Sequence, residues 1–158
     1  MRIIKILFIT LFFFCGHKGI AQKKPTKVTS YPVRFKAPKL QTYLSSYKDS
    51  VSITGGEAES IIAFPLKVVD AKNTAYKISS YQFMYKKKAV TEDEKSGKVS
   101  GTTSISADYF KTTPLPGLWV NIIREQLKKG EQLYFFDVIV KDAQGRLLIA
   151  PNLKIMVQ

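Results

Sequence analysis

The spacing of apolar residues changes period several times along the chain, and each change marks an element. Leu40, Tyr43, Leu44 and Tyr47 fall at i, i+3, i+4 and i+7, one face of a helix, with Pro38 suited to its first turn. Thr54-Gly55-Gly56-Glu57 has the form of a capping box, in which the threonine hydroxyl and the glutamate carboxylate each accept a free backbone N–H at a helix start. Pro65 stops that second short helix, because proline cannot continue the hydrogen-bond ladder. From Leu66 the period becomes two. Leu66 and Val68 lead into a turn at Asp70-Ala71-Lys72-Asn73, and Tyr76, Ile78, Tyr81, Phe83 and Tyr85 return from it as a hairpin of β-branched and aromatic residues. The polar run from Lys86 to Gly101 predicts a long exposed loop, after which Ile105, Ala107 and Tyr109 alternate in a further strand.

Pro114-Leu115-Pro116-Gly117 opens the most strongly patterned helix. Trp119, Ile122, Ile123 and Leu127 form its apolar stripe, and Asn121, Arg124, Glu125 and Lys128 take the other face. Lys128 and Lys129 suit the negative end of the helix dipole, and Gly130 is placed to stop the helix in the left-handed conformation. Glu131 to Lys141 is the clearest strand. Tyr134, Phe136, Val138 and Val140 share one face, and Leu133, Phe135, Asp137 and Ile139 share the other. A strand apolar on both sides is central in its sheet or covered by a helix. Asp142-Ala143-Gln144-Gly145 reads as a turn, and Leu153, Ile155 and Val157 alternate in the last strand. No internal repeat appears. The expectation is a single β-rich domain over residues 39–158, mainly β, with one well-formed amphipathic helix and one or two short ones.

The N-terminus follows a different rule. Arg2 and Lys5 precede Ile6 to Cys15, ten residues in which only Thr10 is polar, fewer than the ~20 that cross a bilayer. Gly19-Ile20-Ala21 then places small residues at the −3 and −1 positions, so residues 1–21 are expected to be a secretory signal peptide cleaved before Gln22. A lipid-modified Cys15 would need a small residue before it, and Phe14 stands there. Cleavage takes away the single cysteine and the single histidine, Cys15 and His17. What remains has no thiol for a disulfide or nucleophile and no imidazole for general-base catalysis or zinc ligation. Losing Arg2, Lys5 and Lys18 leaves 22 basic against 12 acidic residues, a net charge of +10.

Residues 22–38 read as a basic extended linker. Between Gln22 and Lys48 there are seven basic residues and no acidic one, punctuated by Pro25, Pro32 and Pro38. Tyr31, Val33 and Phe35 alternate with polar neighbours and with Pro32, which suits at most an edge strand. Like charges keep such a segment solvated. Its attraction to anionic lipid or envelope polymer would be weak and screened beyond ~8 Å at physiological salt. The length of 158 residues fits one domain, and 45% hydrophobic with 23% charged residues is globular composition, neither disordered nor collagenous.

Candidate chemistry is sparse, and the expected site is empty: no catalytic, cofactor or metal residue is assigned. Asp137, among apolar neighbours, is expected to be held in a structural ion pair with Arg146 or Arg124, because an unpaired buried charge is costly. The catalytic alternative is a small hydrolase of cell-wall polymer, using Asp137 with Glu125 or Lys141. Ser45-Ser46-Tyr47-Lys48 matches the Ser-x-x-Lys pattern of penicillin-binding enzymes, but the companion Ser-Asp-Asn motif is missing and the chain is too short for that fold. Tyr81, Phe83 and Tyr85 beside Lys86-Lys87-Lys88 have the composition of a base-stacking platform, and an amphipathic strand explains them better; no nucleic acid is expected. Glu92-Asp93-Glu94 lacks calcium-loop spacing and reads as a solvated loop.

The block from Trp119 onward resembles a known family. Its helix ends Leu127-Lys128-Lys129-Gly130, and Glu131 and Tyr134-Phe135-Phe136-Asp137 follow. Val138, Val140, Asp142-Ala143-Gln144-Gly145-Arg146 and Pro151-x-Leu153-x-Ile155 complete it. The pattern is similar to the C-terminal domain of GldM, the periplasmic shaft protein of the Bacteroidota gliding and type IX secretion machinery, over about 40 residues of the 158. That resemblance implies an Ig-like β-sandwich and brings no active site. It points to an exported, non-catalytic binding or scaffold domain in the periplasm or cell envelope of a Gram-negative bacterium, with another envelope protein as partner.

Overall fold

The structure is a computed structural model that describes residues 35–158, within which Lys36–Gln158 form a compact unit. The expected signal peptide and most of the expected basic linker lie outside the described residues. Among the described residues the fold is mainly β, with two helices and a nearly closed sheet. In chain order the elements are β1 (Leu40–Leu44), β2 (Tyr47–Lys48), β3 (Ser50–Ile53), α1 (Gly55–Ile61), β4 (Leu66–Asp70), β5 (Ala75–Glu92), β6 (Val99–Phe110), α2 (Gly117–Gln126), β7 (Gln132–Lys141), β8 (Leu147–Ala150) and β9 (Leu153–Val157). The sheet runs β2-β1-β4-β5-β7-β9-β3, with β6 beside β5 and β8 beside β7; only the β3–β9 pair is parallel.

Two long strands make this order possible. β5 borders β4 at Ala75 and Tyr76 and β6 from Tyr81 onward, while its other edge pairs with β7 from Lys77 to Lys86. β7 likewise borders β9 at its start and β8 at its end. Each strand therefore serves two parts of the sheet. A pair of irregularities turns it between them. The β5–β7 register shifts at Ser79 and again opposite Tyr81, where Asp137 adopts φ 48° and two β7 residues oppose one on β5. Such a bulge moves every later side chain to the opposite face. On β7, Leu133 and Phe135 point inward before it, and Val138 and Val140 after it; on β5, Ile78 precedes the shift and Tyr81, Phe83 and Tyr85 follow it.

Several expectations change accordingly. Tyr134, Phe136, Val138 and Val140 do not share a face, because the bulge falls between them, and Asp137 is exposed rather than buried. The helix expected over Leu40–Tyr47 is instead β1 and the turn into β2: all five β1 residues pair with β4, and Thr42 and Leu44 point inward. A helix of that length would need tertiary packing to persist, and pairing with β4 uses the same apolar residues better. The run from Lys86 to Gly101 is not a loop. β5 and β6 continue through it, and only Asp93–Lys98 turns, with Asp93 accepting the backbone N–H groups of Lys95 and Ser96 at 3.0 and 2.8 Å.

The helices are close to expectation. The Thr54–Glu57 capping box forms, with the Thr54 N–H donating to Glu57 at 2.9 Å and the Glu57 N–H to Thr54 Oγ1 at 3.3 Å. α2 ends at Gln126, so Lys128, Lys129 and Gly130 belong to the following turn rather than to the helix. Gly130 has φ 85° there, and its N–H donates to the Val157 carbonyl at 2.7 Å. Trp119 meets Phe83 and Phe110 edge-on at 5.3 and 6.2 Å, so α2 packs on the inward face of the sheet. Val120 and Ile123 join Phe83, Phe135, Leu153 and Ile155 in one core.

Candidate functional site

None of the residues weighed for catalysis meets a catalytic partner. Asp137 accepts from the Gln82 side-chain amide at 2.8 Å, in place of the expected arginine. Arg146 pairs with Asp142 at 2.6 Å, and Arg124 donates to the Glu59 carbonyl at 3.3 Å. Lys141 stands four residues beyond Asp137 on the same strand, about 13 Å along it. Glu125 is an exposed residue of α2. Ser45 and Lys48 flank the β1–β2 turn, both exposed. Tyr81, Phe83 and Tyr85 are fully buried, so their rings offer no stacking surface. Among the described residues, no three His, Cys, Asp or Glu side chains gather as a metal set.

The most unusual feature is the hairpin itself. β7 accompanies β5 only as far as the Lys86–Gln132 pair. Six further β5–β6 pairs, Lys87–Ser104 to Glu92–Val99, continue without a third strand, a ribbon about 20 Å long. Every residue from Val90 to Ile105 is exposed. Beyond its base, no element among the described residues covers it.

The base of this ribbon is held firmly. Glu131, 2% exposed, is a buried carboxylate that accepts three hydrogen bonds: from the Tyr85 hydroxyl at 2.5 Å, the Lys88 N–H at 3.1 Å and the Lys128 N–H at 2.9 Å. Burial, and then the adjacent Glu131 carboxylate, push the Tyr85 phenol well above its ordinary value. The Lys87 ammonium lies 5.0 Å from the Tyr85 ring centre and donates to the Gln126 side chain on α2 at 2.5 Å. The Lys88 side chain lies directly over Gly130. In the sequence Glu131 reads only as the first residue of a strand. Its one signal was a carboxylate immediately before a run of apolar residues.

Beside the ribbon lies an outward face with an apolar cast. The register places Met84 opposite Tyr134 and Gln82 opposite Phe136 on β7, and opposite Ala107 and Tyr109 on β6. Tyr134 and Phe136 stack at 5.2 Å, and Asn152 donates to the Tyr134 hydroxyl at 2.7 Å. Tyr109 and Ile105 remain 53% and 60% exposed, so this face is open to contact. A separate groove of about 360 Å³ opens where β4 and β5 diverge after two paired positions. Leu66, Val68, Tyr76 and Ile78 line it beside Lys77 and Lys111.

Among the described residues, Asp137, Glu125, Lys141, Ser45 and Lys48 do not converge on one site. No helix among the described residues is long and apolar enough to cross a membrane. No protein-family model matches the chain, and no curated protein matches it significantly.

Proposed function

We propose that the chain is an exported, non-catalytic binding or scaffold domain of the bacterial cell envelope, which engages another envelope protein through the β5–β6 ribbon and the aromatic face beside it. The observation that carries this reading is the ribbon: six strand pairs standing clear of the sheet, anchored at the base by Glu131 and Lys87. A two-stranded ribbon alone is marginally stable in water, and a partner surface would supply the missing third layer. Tyr and Met on the neighbouring face are residue types enriched at interfaces.

Export rests on the pattern of residues 1–21, and location in a Gram-negative periplasm or envelope rests on export together with the GldM resemblance. Membership of the GldM-like C-terminal domains and an Ig-like course of the sheet form part of the same proposal. The mainly β fold and the helix–strand–turn–strand order from α2 to β9 support both. The basic leader would add at most a salt-sensitive contact with anionic lipid or polymer.

The test compares the wild-type chain with one in which residues 88–103 are replaced by Asn-Gly, a two-residue turn suited to join Lys87 to Ser104. Wild type, used as bait in envelope extract, is expected to capture a partner saturably, and the shortened chain is expected to lose it while still folding. Equal capture by both chains, or none by either, would overturn the reading.

A further inference from the structure

The free edge of β6 is twelve residues long, Val99–Phe110, and no strand among the described residues pairs with it. Such an edge presents a row of unpaired N–H and C=O groups, and natural sheets guard such edges with lysine, proline or bulges. The opposite edge of the ribbon is guarded, since β5 carries Lys87 and Lys88 there. The β6 edge is not. It has no proline and no lysine, Asp108 near its base is its one charge, and its register with β5 runs unbroken through twelve pairs. The processed chain is expected to carry a net charge of +10, so copies repel one another on average, and this lysine-free strand is a place where they can meet.

We propose that β6 is a dimerisation edge, pairing antiparallel with β6 of a second copy about a two-fold axis at Ser104. In that register Ser104 faces its own copy. On the outward face Tyr109 meets Val99 of the other copy, Ile105 meets Thr103 and Ala107 meets Gly101. On the core-side face Ser106 meets Thr102 and Asp108 meets Ser100. Val99, Ile105 and Tyr109, at 61, 60 and 53% exposure, each gain a β-branched or aromatic neighbour, and no like charges come opposite each other. The two-fold axis makes the contact self-complementary and closed, so pairing stops at two. It also joins the two outward aromatic faces into one surface. The inference does not depend on the envelope partner, because it concerns the purified chain alone.

Sedimentation of the chain, as its own cells process it, tests this between about 1 μM and 1 mM at physiological salt. A reversible dimer is expected, and Ser104→Lys, which sets like charges face to face at an exposed position, is expected to weaken it at least tenfold. A second measurement holds even if that variant folds poorly. In a Cys15→Ser background, Ser104→Cys should cross-link into dimers with a short bismaleimide, whereas Ile149→Cys, 81% exposed on β8, should not. A monomer throughout the range, a dimer indifferent to Ser104→Lys, or equal cross-linking at both positions would overturn the proposal.

Discussion

Asp137 and Glu131 are two carboxylates six residues apart on the same stretch of chain, and their surroundings give them opposite tasks. Asp137 serves the backbone. At φ 48° it occupies a conformation that costs most L-residues about 1–2 kcal/mol, and its carboxylate bonds the Gln82 amide across the strand pair. Asp137→Gly should therefore stay within about 0.5 kcal/mol of wild type in urea unfolding, while Asp137→Val should lose about 1–2 kcal/mol. A role in polymer hydrolysis would instead show as lost turnover with unchanged stability. Glu131 serves the interior. Its removal strands the buried Tyr85 hydroxyl and the N–H groups of Lys88 and Lys128, so Glu131→Ala is expected to cost about 3 kcal/mol by the same measurement.

At the scale of elements, strand existence was legible in alternation and the capping box was legible in four residues. The faces of β7 were not. Alternation read through Asp137 assumes an unbroken pleat, and one left-handed residue reverses the parity beyond it, so Val138 and Val140 join Leu133 and Phe135 inside. Leu40, Tyr43, Leu44 and Tyr47 fit a helical face, yet β1 has β4 beside it in full register, a long-range pairing invisible to local spacing. The ribbon escapes local patterning for a third reason: a hairpin held by backbone hydrogen bonds needs no apolar face, so polar residues on both sides imitate a loop. The candidate surface was consequently hidden, although its aromatic residues were in plain view. Because Lys88 alone of residues 88–103 is bonded to or packed on the body of the sheet, at Glu131 and Gly130, replacing residues 88–103 by Asn-Gly should shift the melting temperature by only a few degrees, measured by circular dichroism.

For the molecule as a whole, acid sensitivity follows from its turns. The Thr74 N–H holds Asp70 below the usual carboxylate range, the Ser96 N–H does the same for Asp93, and Thr54 does so for Glu57. Burial works to raise Asp142, but the Arg146 side chain and turn N–H groups outweigh it and leave that group lowered too. Carboxyls depressed in the folded state bind fewer protons there than in the unfolded chain. Their contribution is present above about pH 4 and is lost as pH falls through the depressed native values. Melting temperature should therefore drop below about pH 4, and Asp70→Asn should flatten part of that drop. β5 is a single unbroken backbone from the tip of the ribbon to the turn after β4, bonded along its middle to neighbours on both edges. Tension applied at the tip is thus delivered lengthwise into the centre of the sheet, where many bonds must shear together rather than unzip one by one.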